Sequence, residues 1–156
     1  MKVKLLVVDK TDDKELIPLI DRYCDRIKHY LPFEFVVIPK PKNAAKLPFE
    51  KLKELEGLAL LENIENGDHV IVLDELGREY SSREFAGLLT KRLNAGTRQL
   101  VFVIGGAFGF SKAVYQRADS KMALSKMTFT HQMIRLLFVE QLYRACSINK
   151  GEKYHH

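Results

Sequence analysis

The sequence lacks the features that mark secreted, disulfide-bonded and membrane-spanning proteins. Only two of its 156 residues are cysteines, Cys24 and Cys146, and neither has a C-x-x-C partner or a histidine at metal-ligand spacing. We therefore expect reduced thiols, no structural disulfide and no metal site. The first apolar run, residues 5–8, is too short for a secretory signal or a membrane span. These absences predict a cytoplasmic protein without a membrane partner.

The sequence also has no internal repeat, no interdomain linker and no long run of like charges. Its length and its 46% content of hydrophobic residues suit a single folded domain over residues 1–156. A net charge of +5 favours a polyanionic partner, although many basic proteins bind none. Lysines cluster loosely over residues 40–53 and arginines are spread through the second half, so we expect a basic face rather than a basic tail.

Five apolar, β-branched or aromatic runs predict strands. They span residues 3–8, 35–38, 70–73, 100–104 and, more weakly, 127–129. Most of these runs are continuous rather than alternating. That pattern is typical of strands that are buried on both faces of a parallel sheet.

Helical segments lie between the strand runs. Their start signals include Asp12 with Glu15 and Ser81 with Glu84, each pair three residues apart. Another helix is expected at about residues 49–63, after a loop that contains two prolines. Since strands and helices alternate, the sequence predicts an α/β fold in which helices flank a parallel sheet.

The last helix, from His131 to about Ser147, is apolar on nearly its whole circumference. Such a helix must be covered on two sides. The second cover is either a partner subunit, which predicts a homodimer, or the core of a monomer. The residues alone leave both interpretations open.

Two predicted strand ends carry residues that suit ligand binding. Residues 105–109, Gly-Gly-Ala-Phe-Gly, follow the fourth strand and precede a helix that Ser111 would cap. Glycines let a ligand approach the backbone, but the loop lacks G-x-G-x-x-G spacing, and a tight turn explains it equally well. Asp74 and Glu75 follow the third strand, at the same edge of the sheet. They are candidates for catalysis, although a capping or loop role is favoured.

The segment between the last predicted strand and the last helix is a third candidate. Residues 124–131 mix apolar side chains with hydroxyl groups. Apolar walls with backbone donors suit an adenine ring. The same residues are explained equally well as the fifth strand followed by a helix cap at Thr130.

Charged residues of the last helix are the fourth candidate. His131 and Arg135 are four residues apart and share one face. Arg144 stands in an otherwise apolar stretch, and a buried arginine needs an anionic partner. That partner is either an RNA phosphate or Glu140, and the spacing along the helix favours Glu140. The polar end of the chain reads as a frayed tail.

Four elements taken together resemble one family. They are the loop at residues 105–109, the segment at 123–129, the helix with His-Gln-Met-Ile-Arg at 131–135 and Glu-Gln-Leu-Tyr-Arg-Ala at 140–145, and the terminal Tyr154 and His155. Through these elements the sequence is similar, over nearly its whole length, to the large-subunit ribosomal RNA pseudouridine N3-methyltransferases.

The resemblance implies a SPOUT fold, in which helices flank a parallel sheet and the C-terminal part forms a trefoil knot. It implies S-adenosylmethionine as methyl donor and no metal. It also implies a homodimer that methylates N3 of a pseudouridine in 23S ribosomal RNA on the assembled ribosome. A noncatalytic ribosome-associated RNA-binding protein of the same fold is the alternative.

Site residues are implied by the same resemblance. Those implied for the cofactor pocket are Leu73, Gly105, Gly109, Leu124, Ser125, Lys126, Met127, Thr128 and Phe129. Those implied near the target base are Arg144, His131, Tyr154 and His155. We expect Arg144 to stabilise negative charge that develops on the base, and His131 or His155 to accept its proton.

The sequence departs from the family pattern in three places. Ala107 and Phe108 replace the middle pair of a loop that is often Gly-Gly-Pro-Glu-Gly, so no carboxylate role carries over there. The chain ends in His156 where lysine or arginine is common, which removes a permanent positive charge. Asp9 and Lys10 follow the first strand where glycine is common, and the sequence predicts no effect for them.

Overall fold

The computed structural model describes residues 1–153, and within them five strands form one parallel sheet. The strands are β1 (Lys2–Val8), β2 (Phe33–Ile38), β3 (His69–Glu79), β4 (Gln99–Ile104) and β5 (Ser120–Ala123). Their spatial order is β2-β1-β4-β3-β5, and every neighbouring pair is parallel. The predicted α/β class and the first four predicted strands are confirmed.

The predicted fifth strand is wrong in position, because β5 precedes residues 127–129. Met127 and Phe129 are 77% and 41% exposed, whereas Met122 and Ala123 of β5 are buried and pair with β3. Only two of the four residues of β5 are apolar, so its pattern is weak in the sequence. The apolar residues that suggested a strand instead lie on a loop after it.

Helices cover both faces of the sheet. They are α1 (Leu16–Lys28), α2 (Phe49–Leu61), α3 (Ser82–Asn94), α4 (Lys112–Arg117) and α5 (Met133–Asn149), with a short 3-10 turn at Ala44–Lys46. One core forms between the sheet and α1, α3 and α5, and a second forms between the sheet and α2 and α4. Alternate residues of β1 enter the two cores, with Leu5 in one and Leu6 in the other. This two-sided burial explains the continuous apolar runs.

Local signals at the helix ends were only partly right. The Ser81 hydroxyl accepts from the Glu84 amide at 3.2 Å, and the Glu84 carboxylate accepts from the Ser81 amide at 2.7 Å, so this capping box is confirmed. The start signal at Asp12 is wrong, because Glu15 occupies the N-cap of α1. Helix α5 begins at Met133 with Gln132 at its N-cap, so the predicted cap at Thr130 is two residues too early, although the Thr130 hydroxyl accepts from the Met133 amide at 3.1 Å.

Only part of the apolar circumference of α5 is covered within one chain. Helix α5 packs between α1 and α3, and Phe138, Val139 and Leu142 are completely buried. On the same helix Met133 is 39% exposed, and Leu136 and Leu137 are only partly buried. One apolar face is therefore incompletely covered by its own chain, and both interpretations of the second cover stay open. The homodimer and the trefoil knot stay predictions from the resemblance.

Both cysteines are buried and free. Cys24 lies on α1 and Cys146 on α5, in the same core. Burial raises the pKa of each thiol to about 12, so both are protonated at neutral pH. Among residues 1–153, no helix is long and apolar enough to cross a membrane.

Candidate functional site

A cavity of about 610 Å³ opens at the carboxyl ends of β3, β4 and β5. Three chain segments form most of its wall, at residues 73–76, 104–110 and 122–131, together with Tyr115 and Ile134. Open α/β sheets bind ligands at this edge, and the volume lies in the range of small-molecule sites. The cavity is therefore the candidate functional site.

Residues 105–109, here called the glycine turn, form one wall of the cavity. The Gly109 amide donates to the Gly106 carbonyl at 3.2 Å, which puts Ala107 and Phe108 at the corner of a tight turn. Gly109 has φ 84°, a left-handed conformation that favours glycine. The Ser111 hydroxyl then caps α4 by accepting from the Val114 amide at 3.4 Å, as predicted. The segment is thus a tight turn and a cavity wall at once.

The opposite wall is a loop that leaves the edge of the sheet. Leu73 and Arg78 of β3 both pair with Met122 of β5, so residues 74–77 bulge out between them. Asp74 shapes this bulge, because its carboxylate accepts from the Leu76 amide at 2.8 Å and from the Tyr115 hydroxyl. Both Asp74 oxygens are thereby engaged, which agrees with the loop role that the sequence favoured.

The structure brings most of the predicted cofactor residues together. Those that line the cavity are Leu73, Gly105, Gly109, Leu124, Ser125, Met127, Thr128 and Phe129. Lys126 is exposed and is not among the lining residues. Sequence reasoning missed Met122, Tyr115 and Ile134, which also line the cavity. Of these, only Tyr115 had a usable signal, since it lies one helical turn after the predicted cap at Ser111.

His131 lies at the cavity, and Arg135 holds it in place. The Arg135 guanidinium donates to the His131 carbonyl at 2.9 Å, to the Thr11 hydroxyl at 3.0 Å and to the Val8 carbonyl at 2.6 Å. Arg135 is completely buried, so these contacts tie the end of β1 to the start of α5. Burial lowers the pKa of His131, and the nearby Arg135 charge lowers it further, so its imidazole is neutral at pH 7.

The site is thus a cavity at the carboxyl edge of a parallel sheet, and the neutral imidazole of His131 is among its lining groups. A family model described as "Predicted SPOUT methyltransferase" matches residues 1–155. The chain belongs to the SPOUT methyltransferase family. The resemblance found in the sequence is therefore confirmed at the level of this family.

Curated relatives match over the whole length of this SPOUT methyltransferase. A protein of Christiangramia forsetii named "Ribosomal RNA large subunit methyltransferase H" is 52% identical and covers 100% of this chain and 99% of its own. A protein of the same name from Cytophaga hutchinsonii is 50% identical and covers 100% of both chains.

A solved structure also supports the fold. The structure, described as a "Probable Methyltransferase from Bordetella pertussis Tohama I", superposes with a TM-score of 0.58 at 16% identity. The match covers 93% of this chain and 96% of that chain. At this identity the likeness concerns the architecture of the sheet and helices.

Arg144 of this SPOUT methyltransferase does not line the cavity of its own chain. Its guanidinium pairs with Glu140 at 2.8 Å, which confirms the ion pair that the helix spacing favoured. Arg144 lies roughly 14 Å further along α5 than Arg135, at 1.5 Å per residue. The prediction that Arg144 is the buried arginine is wrong, because Arg135 is the completely buried one. Tyr154, His155 and His156 lie outside the described residues.

The departure at Asp9 has a structural explanation. Asp9 has φ 65°, the left-handed conformation that glycine adopts without strain. Its carboxylate accepts from the Lys10 amide at 2.9 Å, a local contact that lets aspartate tolerate this backbone. Lys40 lies 3.7 Å from the same carboxylate. Asp9 thus adopts a backbone conformation that suits glycine.

Glu56 is a buried carboxylate behind the glycine turn. The side chain of Glu56 is on α2, is only 6% exposed, and has one oxygen without a hydrogen-bond partner. A methyl group on Gly106 would lie 2.7 Å from that oxygen, so the carboxylate would have to shift to admit it. Burial raises the pKa of Glu56, Lys40 opposes the rise, and Asp9 adds to it. Within residues 1–153, no group of three or more histidine, cysteine, aspartate or glutamate side chains has the arrangement of a metal site.

The raised pKa of Glu56 predicts a pH-dependent stability. Because folding favours the protonated acid, the contribution of Glu56 to the free energy of unfolding falls as the pH rises from about 4.5 through the raised pKa. We expect Glu56→Gln to remove this loss, so that the free energy of unfolding of the variant rises relative to that of the wild type as the pH increases. Urea unfolding across that pH range measures the difference. Glu54→Gln, an exposed position on the same helix, is the control, and equal pH profiles for Glu56→Gln and wild type would contradict the expectation.

Proposed function

We propose that this protein transfers a methyl group from S-adenosylmethionine to N3 of a pseudouridine in 23S ribosomal RNA, on the assembled ribosome. It acts as a cytoplasmic homodimer whose subunits are single domains, residues 1–156, each with a C-terminal trefoil knot. The observation that carries the proposal is that three segments line one cavity. They are the glycine turn, the bulge at 74–77 and the segment at 122–131, which contains His131. The names of the curated relatives support ribosomal RNA as the substrate class.

The cavity fits S-adenosylmethionine, the methyl donor that the SPOUT family implies. The glycine turn offers backbone donors and acceptors that no side chain blocks, and Met122, Leu124 and Phe129 offer apolar surface for an adenine ring. Glu75 lies at the wall, and its negative charge suits a cationic ligand. When bound, the cofactor supplies an electrophilic methyl carbon. The residues of the cavity hold and orient it, and orientation is a large part of the rate of a displacement reaction.

His131 is the proposed proton acceptor. The imide nitrogen of the base becomes a good nucleophile only as its proton leaves, so a neutral base must lie near it. The lowered pKa of His131 keeps its imidazole neutral, and the Arg135 contact to its carbonyl fixes the start of α5. The place of His131 in the cavity lining and its neutral imidazole support this role.

Arg144, Tyr154 and His155 are proposed to act near the base across the dimer. Arg144 does not line the cavity of its own chain, so a role at the base requires the cavity of a second subunit. There its guanidinium would stabilise the negative charge that develops on the base oxygens as the proton leaves. The tail with Tyr154 and His155 would reach the same cavity of the partner. His155 is the second candidate for proton acceptor.

A noncatalytic ribosome-associated RNA-binding protein is the alternative function. It would keep the fold and the basic surface, while the glycine turn would serve only as a turn. Cofactor affinity separates the two functions, because the alternative needs none. Transfer of labelled methyl groups from S-adenosylmethionine to ribosomes tests the proposal directly.

The substrates for this assay are assembled ribosomes, free large subunits and ribosomes without pseudouridine, all from a strain without this enzyme. We expect label in the large-subunit RNA of assembled ribosomes only, and none without pseudouridine. Cofactor binding without transfer would contradict the proposed RNA target. Absence of both transfer and cofactor binding would favour the noncatalytic alternative.

His131→Gln is expected to lower methyl transfer by about 100-fold or more, the usual contribution of a positioned general base. Affinity for S-adenosylmethionine should change little, because glutamine keeps the size of the side chain and the backbone contact to Arg135. The control is His29→Gln, an exposed histidine after α1, which should leave transfer unchanged. If His131→Gln retains full turnover, His131 is not the proton acceptor.

A further inference from the structure

Two phenylalanines stack on each other at the protein surface beside the cavity. The rings of Phe49 and Phe108 are 4.1 Å apart between centroids and 26° from parallel. Despite this contact, Phe49 is 61% exposed and Phe108 is 44% exposed. Phe108 is at the corner of the glycine turn and lines the cavity, and Phe49 is the first residue of α2. This exposed aromatic pair therefore leaves much of the ring surface of Phe49 and Phe108 accessible to solvent next to the cavity.

The chain around Phe49 is strongly basic. Residues 40–53 contain five lysines and one glutamate, a net charge of +4 against +5 for the whole protein. Lys40, Lys51 and Lys53 form ion pairs with carboxylates nearby. Lys42 and Lys46 are exposed and have no ion pair with any residue of 1–153. Phe49 thus belongs to a chain segment whose positive charge the described part of the protein neutralises only in part.

We propose that the exposed aromatic pair is a stacking platform for an unpaired RNA base next to the target nucleotide, with Lys42 and Lys46 binding the adjoining phosphates. This proposal rests on the proposed function, and it assigns to the aromatic pair and the two lysines the binding of the RNA substrate next to the cavity. Proteins bind single-stranded RNA by combining aromatic stacking with basic side chains that follow the backbone. Because Phe108 also lines the cavity, a base on the platform is a neighbour of the base inside it.

The charge distribution favours RNA over other occupants of this surface. A second copy of the protein placed symmetrically here would bring two segments of charge +4 together, which is repulsive. An adenine of the cofactor would contact Phe108 from inside the cavity, but it would leave Phe49, Lys42 and Lys46 without a function. A single-stranded polyanion with unpaired bases can stack on the rings and bind the lysines through its phosphates at the same time.

Phe49→Leu tests the platform, because leucine keeps an apolar side chain and removes the flat ring. We expect the affinity for a fluorescein-labelled oligouridylate, and for ribosomes, to fall by about 5-fold to 100-fold, the range measured when stacking on one base is lost. Phe49→Tyr should restore most of the affinity. Leu93→Ala, an exposed apolar position on α3, is the matched control and should bind RNA as the wild type does. Affinity for S-adenosylmethionine should be unchanged in all three variants.

Salt dependence tests the lysines separately. Lys42→Gln and Lys46→Gln should each lower the slope of log affinity against log salt by about 0.7, the value for one phosphate contact on a single strand. Lys28→Gln, an exposed lysine on α1, should leave the slope unchanged.

The outcomes separate this proposal from the proposed function. Wild-type RNA affinity in Phe49→Leu, with methyl transfer intact, would overturn the platform and leave the function standing. Loss of RNA affinity in Phe49→Leu would support the platform even if no methyl transfer is found. A matching loss of cofactor affinity would assign the pair to the cofactor instead, and a changed dimer dissociation constant with unchanged RNA affinity would assign it to a subunit interface. Either result would overturn the proposal.

Discussion

Replacement of Gly77 by alanine is expected to destabilise the protein by about 3 kcal/mol, at the upper end of the cost of overpacking a site. Gly77 lies where β3 returns to β5 after the bulge at 74–77. A Cβ atom there would lie 2.6 Å from the Met122 amide nitrogen and 2.7 Å from the Lys121 carbonyl carbon. These are backbone atoms, which cannot rotate away as the end of a side chain can. The clash must therefore separate the two strands and move the cavity wall.

Urea unfolding and cofactor titration together measure this effect. We expect Gly77→Ala to lower both the midpoint of unfolding and the affinity for S-adenosylmethionine. Gly87→Ala is the matched control, because Gly87 lies within α3 with no atom within 4 Å of the added carbon. That variant should be stabilised by up to about 1 kcal/mol, the difference in helix propensity between the two residues. An unchanged midpoint in Gly77→Ala would mean that the strands accommodate the methyl group.

Replacement of Arg135 by methionine is expected to cost about 3 kcal/mol, because two buried carbonyls and a hydroxyl lose their donor. Val8 and Thr11 lie at and just after the end of β1, and His131 lies just before α5. Burial lowers the pKa of Arg135, so removal of its desolvated charge offsets part of this loss. Methionine fills much of the space but donates no hydrogen bond. The two segments should separate, which removes the support of the cavity rim.

Chemical unfolding of Arg135→Met, Arg135→Lys and Lys28→Met separates the hydrogen bonds from the charge. Lysine keeps the charge but lacks the planar fork, so Arg135→Lys should recover only part of the loss. Lys28→Met removes an exposed cation that lies 3.5 Å from Asp25, and it should change stability by less than about 0.5 kcal/mol. A variant Arg135→Met as stable as the wild type would show that the cost of burying the charge outweighs the three hydrogen bonds.

Patterns confined to a few neighbouring residues predicted their local structure well. The continuous apolar runs predicted β1 to β4, because burial on both faces of a parallel sheet leaves no polar face to alternate. The spacing of Ser81 and Glu84 predicted a capping box, and the spacing of Glu140 and Arg144 predicted their ion pair. In these two pairs the interacting residues are within four positions of each other. The resemblance added the family and several residues of the cavity wall.

Interactions between distant residues were not predictable in this way. Arg135 has two of its three acceptors, Val8 and Thr11, more than 120 residues away, so nothing in the helix pattern marked it as the buried arginine. Glu56 looks like one of several acids on α2, and nothing in the sequence marks it as buried beside the glycine turn. Phe49 and Phe108 are likewise 59 positions apart. The short strand β5 was missed because its pairing with β3, rather than its own composition, defines it.

By itself, the sequence determined the α/β class, the order of the elements and membership of the SPOUT family, because these depend on local periodicity and on ordered motifs. Only the tertiary structure decided which residues meet at the cavity, that the glycine segment is a tight turn, and that Arg135 rather than Arg144 is completely buried. The physical reason is that burial and hydrogen bonding are properties of the packed surroundings. A side chain acquires them from segments that the chain brings together only when it folds.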